Sequence, residues 1–90
     1  MTVKKKQKPG IPITPDQSRM ARAAVRLGIR ELAASAKLST NTVIRFEGGG
    51  TVQQETLEKI RKTLEKAGAE LIDANGGGVG VRLKKRRKRR

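Results

Sequence analysis

The sequence predicts a mainly α-helical fold, in which four short helices are followed by a C-terminal β-hairpin. Between residues 14 and 68, apolar side chains recur at intervals of three and four, and capping residues or glycines divide this pattern into four segments. After residue 68 the apolar side chains alternate with other residues around a run of glycines, which is typical of two short strands. The predicted division is a flexible basic arm over residues 1–13 and a helical domain over residues 14–68. A hairpin over residues 69–83 and a disordered basic tail over residues 84–90 follow.

The first helix begins within the segment TPDQ, at residues 14–17. Thr14 can cap this helix, Pro15 suits its first position, and Gln17 completes a capping box with Thr14. Asp16 carries a negative charge at the positive end of the helix dipole. Helical spacing then predicts a core face made of Met20, Ala23, Ala24 and Leu27.

A second helix over residues 29–36 and a third over residues 40–47 are separated by a gap that is long enough only for a turn. The inward side chains of the second helix are Ile29, Leu32, Ala33 and Ala36. Ser39 suits the N-cap of the third helix, and Val43 and Phe46 are its inward side chains. The outward face of the third helix then consists of positions 40, 41, 44 and 45.

The fourth helix follows three glycines. Thr51 and Gln54 repeat the capping-box spacing, and Gly68 suits the C-cap. The core stripe of this helix is Leu57, Ile60, Leu64 and Ala67.

Two strands joined around NGGG come next, the first over residues 70–73 and the second containing Val79, Val81 and Leu83. The alternative is that residues 74–90 stay disordered.

Most of the net charge of +14 lies at the two ends of the chain. Residues 1–15 contain four lysines and no acid, and residues 74–90 contain eight basic side chains and no acid. Residues 16–73 contain ten basic and eight acidic side chains, so the predicted domain is nearly neutral. Basic ends of this kind suit a polyanionic partner. The other interpretation is that they only aid solubility.

Several classes of function are disfavoured by what the sequence lacks. The chain has no cysteine and no histidine, so no metal site, cofactor or catalytic residue is predicted. The two glycine triplets match neither phosphate-loop motif and are predicted to form turns. Because no apolar run could span a membrane and residues 1–15 lack the centre of a signal peptide, we expect a cytoplasmic protein without a membrane partner. So small a core is marginal, which favours a homodimer.

The outward face of the third helix is polar and weakly charged, although the protein is strongly basic. Two helices joined by a tight turn can place the second in the major groove of DNA while the first crosses the backbone. Base edges in that groove offer donors and acceptors, which hydroxyl, amide and guanidinium groups can read. We therefore expect base contacts from Thr40, Asn41 and Arg45. The alternatives are an ordinary first-turn residue for Thr40, a second cap for Asn41 and a surface ion pair for Arg45.

The pattern RELA…LS.NTV.RFE.G, which begins at Arg30, resembles the helix-turn-helix domain of the lambda repressor and Cro family of bacterial and phage transcription regulators. The following AELIDANGGGVGVRL resembles a small single-domain branch of these regulators, and the whole match covers roughly residues 14–83. The resemblance implies that Ser39 contacts a DNA phosphate. Arg22 and Glu47 occupy positions that pair in several members, although an ordinary surface pair is the alternative. The motif core would be Leu32, Ala33, Val43 and Phe46.

Three positions depart from the family pattern. Gly28 replaces the usual serine or threonine, and Ile29 replaces a glutamine that usually helps to hold a phosphate, a role that Arg30 could take over. Lys37 stands where a turn glycine is usual. A left-handed backbone at Lys37 costs roughly 1 kcal/mol, which a phosphate contact would offset. Further phosphate contacts are expected from the tail residues Lys84, Lys85, Arg86 and Arg87.

These features predict a sequence-specific regulator that binds double-stranded DNA, a repressor or autoregulator encoded by a bacterium or phage and associated with the nucleoid. A homodimer would recognise an inverted-repeat operator. One alternative is an antitoxin-type autoregulator with a toxin as its protein partner. Another is a nonspecific nucleic-acid or nucleoid binder that acts through its basic arms. An enzyme is the least expected class, because no pair of nucleophile and base is visible.

Overall fold

The computed structural model describes residues 12–74 and 76–84 of the 90-residue chain. Four helices and a two-stranded antiparallel sheet follow one another in the order α1 (Pro15–Val25), α2 (Ile29–Ala36), α3 (Thr40–Glu47), α4 (Gln54–Ala67), β1 (Ala69–Ile72) and β2 (Gly80–Leu83). The predicted class, a mainly helical domain with a C-terminal hairpin, is confirmed. Residues 1–11 of the predicted arm and the tail residues Lys85, Arg86 and Arg87 lie outside the described residues.

The start of α1 is the predicted capping box. The Thr14 side chain accepts a hydrogen bond from the Gln17 backbone N–H (3.1 Å), and the Gln17 side chain accepts one from the Thr14 backbone N–H (3.0 Å). The helix ends at Val25, and Arg26 follows in the left-handed conformation with φ of 62°. The Leu27 N–H then donates to the Arg22 carbonyl. These bonds satisfy terminal backbone groups that a bare helix would leave unpaired.

The predicted core face of α1 was wrong for Met20 and Ala23, whereas Leu27, which follows the helix, packs against the core as predicted. Met20 is 40% exposed and Ala23 is also exposed, while Ala24 and Leu27 are half-buried. The buried side chains of α1 are instead Gln17, Ser18 and Ala21. Two of these three are polar, and each has partners in other elements, which removes the cost of burying an unpaired polar group. The spacing of apolar residues cannot identify buried positions that are occupied by polar side chains.

The core lies where α1, α2, α3 and α4 meet, and it contains all four predicted motif-core residues. Its buried apolar side chains are Ile13, Ala21, Leu32, Ala33, Val43, Phe46, Leu57, Ile60, Leu64 and Ala69. Ile13 is fully buried, so the predicted arm boundary at residue 13 was wrong. Arg61 also donates to the Pro12 carbonyl (2.7 Å), which ties the chain before α1 to α4.

The two ends of α4 depart from the prediction in different ways. Thr51 does not form a capping box, because α4 begins only after Gln53, the N-cap residue, and Val52 packs against the core in the segment before it. At the other end Ala67 is exposed rather than part of the core stripe, and Ala69 at the start of β1 is fully buried instead. Gly68 is the C-cap as predicted, with φ of 119°.

The hairpin packs against α1 and α4. Its register pairs Glu70 with Arg82 and Leu71 with Val81, and the last two side chains pack against the core. The first strand begins and ends one residue earlier than predicted, and the second begins at Gly80. Because β2 pairs with β1 over four residues, the alternative of disorder from residue 74 onward was wrong for residues 80–83.

Candidate nucleic-acid interface

The turn between α2 and α3 consists of three residues. Lys37 adopts the left-handed conformation (φ 59°, ψ 46°), as the family pattern implied, and its N–H donates to the Ala34 carbonyl (3.2 Å). The Leu38 N–H donates to the Ala33 carbonyl (2.8 Å). Ser39 is then extended and begins the next helix. A lysine in this conformation stores roughly 1 kcal/mol of strain, which the surrounding packing must offset.

Ser39 caps α3 as predicted. Its side-chain oxygen accepts a hydrogen bond from the Thr42 backbone N–H (3.1 Å) and lies 2.9 Å from the Thr42 hydroxyl oxygen. On the inward face of the helix, Val43 and Phe46 are buried in the core. Phe46 is therefore a packing residue and not an exposed platform for stacking bases.

Glu47, the last residue of α3, is bound by α1 through charged and polar contacts. Its carboxylate accepts two hydrogen bonds from the Arg22 guanidinium, from Nη2 to Oε1 (2.8 Å) and from Nε to Oε2 (2.9 Å). The Ser18 hydroxyl donates to Oε2 (2.6 Å), and Arg19 Nη1 donates to the Glu47 backbone carbonyl. These contacts attach the C-terminal end of α3 to α1.

The Arg22–Glu47 pair is largely buried, with 19% of the Arg22 side chain and 6% of the Glu47 side chain exposed. The hydrogen bond with Glu47 raises the pKa of Arg22, although burial acts in the opposite direction. The structure thus shows a buried structural pair and not the alternative of an ordinary surface pair. Ser18, which also binds this carboxylate, was not predicted from the sequence. A single serine inside an α-helix belongs to no periodic or motif pattern that would indicate its partner.

The outward face of α3 carries the three side chains for which base contacts were predicted. Thr40, Asn41 and Arg45 are all exposed and share this face with Ile44. Periodicity indicated that position 44 points outward, but no role was assigned to it. Since α3 is fixed by its cap, its apolar face and Glu47, these four side chains are presented on a rigid helix.

Arg45 lies against the backbone of Gly50. The Gly50 N–H donates to the Arg45 carbonyl (2.8 Å). A β-carbon built on Gly50 would lie 2.6 Å from Arg45 Cγ, which is too close, and 3.0 Å from the Arg45 carbonyl oxygen, which is a tight contact. The missing side chain at Gly50 therefore gives room for the stem of Arg45 in its present position. Sequence reasoning had assigned this glycine only to the end of the helix.

The residues proposed for phosphate contacts fall into two groups. Arg30, Lys37 and Ser39 are exposed in α2, the turn and the N-cap of α3, and the last two directly precede the outward face of α3 in the chain. Lys84 lies elsewhere, because its Nζ donates to the Glu65 carbonyl in the last turn of α4 (2.8 Å). Its backbone N–H donates to the Gly68 carbonyl. Lys84 thus closes the hairpin against α4 and is not brought together with the first group.

The acidic side chains of the described part of the chain do not form a metal site. Residues 12–74 and 76–84 contain no group of three such side chains that could hold a metal ion, and the whole sequence lacks histidine and cysteine. None of the helices within these residues is long and apolar enough to cross a membrane.

Comparison with known proteins adds no family assignment: no protein-family model matches this chain, and no curated protein matches it significantly. The outward face of α3, with the turn before it, is therefore the candidate site on structural grounds alone.

Proposed function

We propose that this chain is a sequence-specific regulator of transcription, a repressor or autoregulator, that binds double-stranded DNA and reads the major groove with α3. The observation that carries the proposal is the division of α3 into two faces. Val43, Phe46 and Glu47 hold the helix in the domain, while Thr40, Asn41 and Arg45 are exposed together. A helix held so firmly and presenting hydrogen-bonding groups is suited to reading base edges.

The chemistry of the exposed groups agrees with this function. A guanidinium can donate two hydrogen bonds to guanine, an amide can pair with adenine, and a hydroxyl can serve as donor or acceptor. Arg30, Lys37 and Ser39 are exposed in the same helix-turn-helix segment and would bind phosphates. Such phosphate contacts position a protein on the duplex without reading its sequence.

The basic ends would supply most of the nonspecific attraction to DNA. The domain itself is nearly neutral over residues 16–73, so the charge that binds the phosphate backbone lies mainly outside it. A homodimer would bind an inverted repeat whose half-site centres are about 10 base pairs, or a multiple of that, apart. The resemblance to the lambda repressor and Cro family favours the same function and a location on the bacterial nucleoid.

The second candidate is a nonspecific nucleic-acid binder that acts through the basic ends. The charge distribution favours it, because the basic residues of the two ends have no acidic residue among them. In that case the polar face of α3 would have no part in binding. The two candidates differ in whether any DNA sequence is preferred.

Selection from random duplex DNA with the full chain, followed by footprinting of the selected site, tests the proposal directly. We expect one preferred sequence with two-fold symmetry, protected over two half-sites. The preference should amount to at least about a thousandfold over random duplex at the same salt concentration. Equal binding to all sequences would contradict the proposal and favour the nonspecific binder.

A further inference from the structure

The outward face of α3 contains one large apolar side chain. Ile44 is 50% exposed and is flanked along the helix by Thr40, Asn41 and Arg45. Single exposed apolar residues are common on proteins. The position of Ile44 is what distinguishes it, because its neighbours on this face are the polar side chains proposed to read bases.

Neither packing nor helix propensity explains an isoleucine at this position. Ile44 belongs neither to the buried core nor to the partly buried side chains that pack against it. Isoleucine also favours a helix less than lysine, glutamine or glutamate, which would suit an exposed position better. The branched Cβ does confer one property, since it restricts the side chain of a helical isoleucine to essentially one χ1 rotamer. Ile44 therefore presents a rigid apolar surface.

The major groove contains one apolar group that such a surface can recognise. This group is the C5-methyl of thymine, and the other base edges present only hydrogen-bond donors and acceptors. A charged or amide side chain at position 44 would gain little from that methyl group, whereas an apolar one removes it from water. Ile44 would favour thymine over cytosine, because cytosine lacks the C5-methyl group and presents an amino donor at the neighbouring position.

We propose that Ile44 is a specificity-determining residue that reads a thymine in each half-site through its C5-methyl group. This inference rests on the proposed function and adds to it a base that the operator must contain. It predicts that the selected half-site holds a thymine within reach of α3, next to the base contacted by Arg45 or Asn41.

The test replaces each thymine of the selected site by deoxyuridine, which removes only the methyl group. For the full chain we expect one thymine in each half-site at which this replacement weakens binding about fourfold, the value of burying one methyl-sized group. In Ile44→Ala, whose side chain ends at Cβ, the same replacement should have much less effect, while replacements at all other thymines should act alike on both proteins. Ile44→Val, which keeps the branched Cβ, should retain part of the sensitivity.

The control is Met20→Ala, which removes another exposed apolar side chain, 40% exposed, from α1. This variant should keep the full response to deoxyuridine. A preferred site at which wild type and Ile44→Ala respond identically to every replacement would overturn the role of Ile44 and leave the proposed function standing. A selection without any preferred site would overturn both. Because Ile44 is outside the core, Ile44→Ala should melt within a few degrees of the parent.

Discussion

Arg22 and Glu47 form a bidentate ion pair that connects the last turn of α1 to the last residue of α3, with N···O distances of 2.8 and 2.9 Å. Planar guanidinium and carboxylate groups match in this geometry, which makes such pairs among the stronger charge-assisted hydrogen bonds. The pair therefore determines how the proposed reading helix is held against the rest of the domain.

Arg22→Ala should destabilise the protein strongly, because it leaves the Glu47 carboxylate buried without its charged partner. We expect a decrease of about 3–5 kcal/mol in the free energy of unfolding, measured by urea denaturation. Arg19→Ala is the matched control on the same helix. Arg19 is about half exposed, pairs with Asp16 and donates to the Glu47 backbone carbonyl, but its removal leaves no buried charge unpaired. Its loss should therefore cost only roughly 1–2 kcal/mol. Equal costs for both variants would show that the pair has no structural role.

Arg45→Ala and Asn41→Ala should reduce discrimination without affecting the fold. Each should weaken binding to the selected site by roughly 1–3 kcal/mol and have little effect on random duplex. Both side chains are exposed, so circular dichroism and melting temperature should barely change. Equal effects on the two kinds of DNA would mean that these residues bind phosphates instead of bases.

Gly50→Ala should act on DNA binding through Arg45. The added methyl group would come within 2.6 Å of Arg45 Cγ, which forces the arginine into another rotamer. We expect a weaker preference for the selected site, in the same direction as Arg45→Ala but smaller, measured by competition between selected and random duplex. Once Arg45→Ala has removed the arginine side chain, adding Gly50→Ala should change the preference little, because only the tight contact with the position-45 backbone carbonyl remains. Gly77→Ala is the control, since a β-carbon there meets open space.

Removing residues 85–90 should separate nonspecific attraction from sequence reading. The deletion takes away six positive charges and spares Lys84, which holds the hairpin to α4. Every phosphate that the protein no longer neutralises flattens the slope of log affinity against log salt by about 0.9, so three or four such phosphates reduce it by about three units. Affinity should fall equally for all sequences, and the ratio of selected to random DNA should survive. If the shortened chain no longer preferred the selected DNA over random DNA, the residues that read the sequence would lie in the tail.

Acid should weaken the hairpin through the cross-strand pair of Glu70 and Arg82. The hydrogen bond from Arg82 holds the pKa of Glu70 below its ordinary value. In the unfolded chain this carboxyl titrates at about 4.3. The stabilisation is therefore complete above that pH and is lost as the pH falls through the lower pKa of the folded state. The protection factors of the amides of residues 69–72 and 80–83, which correct the exchange rates for the slower intrinsic exchange in acid, should fall on acidification. Glu70→Gln or Arg82→Gln should reduce this dependence.

Features that depend on neighbouring residues along the chain could be predicted. Helix α3 has the bounds expected from its cap at Ser39 and from the spacing of Val43 and Phe46, because capping and amphipathic periodicity act within one or two turns. The same spacing identified the exposed face of α3. The hairpin was also expected, since alternation and a glycine-rich turn are local signals.

Contacts between distant segments could not be predicted in the same way. Gln17 was expected only to cap α1, yet its Nε2 also donates to the carbonyls of Ile72 (3.0 Å) and Gly80 (3.2 Å), the last register pair of the hairpin. These partners lie 55 and 63 residues away. A polar side chain becomes a core position only when the fold supplies such partners, so Gln17 and Ser18 replaced Met20 and Ala23 on the buried face of α1.

The sequence by itself therefore determined where the helices and strands lie and which side of α3 is polar, because both follow from residues within a few positions of each other. Only the tertiary structure decided what holds α3 in place and how its side chains are presented. Glu47 is buried because Arg22 and Ser18 reach it from α1, and Arg45 keeps its position because the backbone of Gly50 returns beside it. These contacts join segments that are distant along the chain and that meet only when the protein folds.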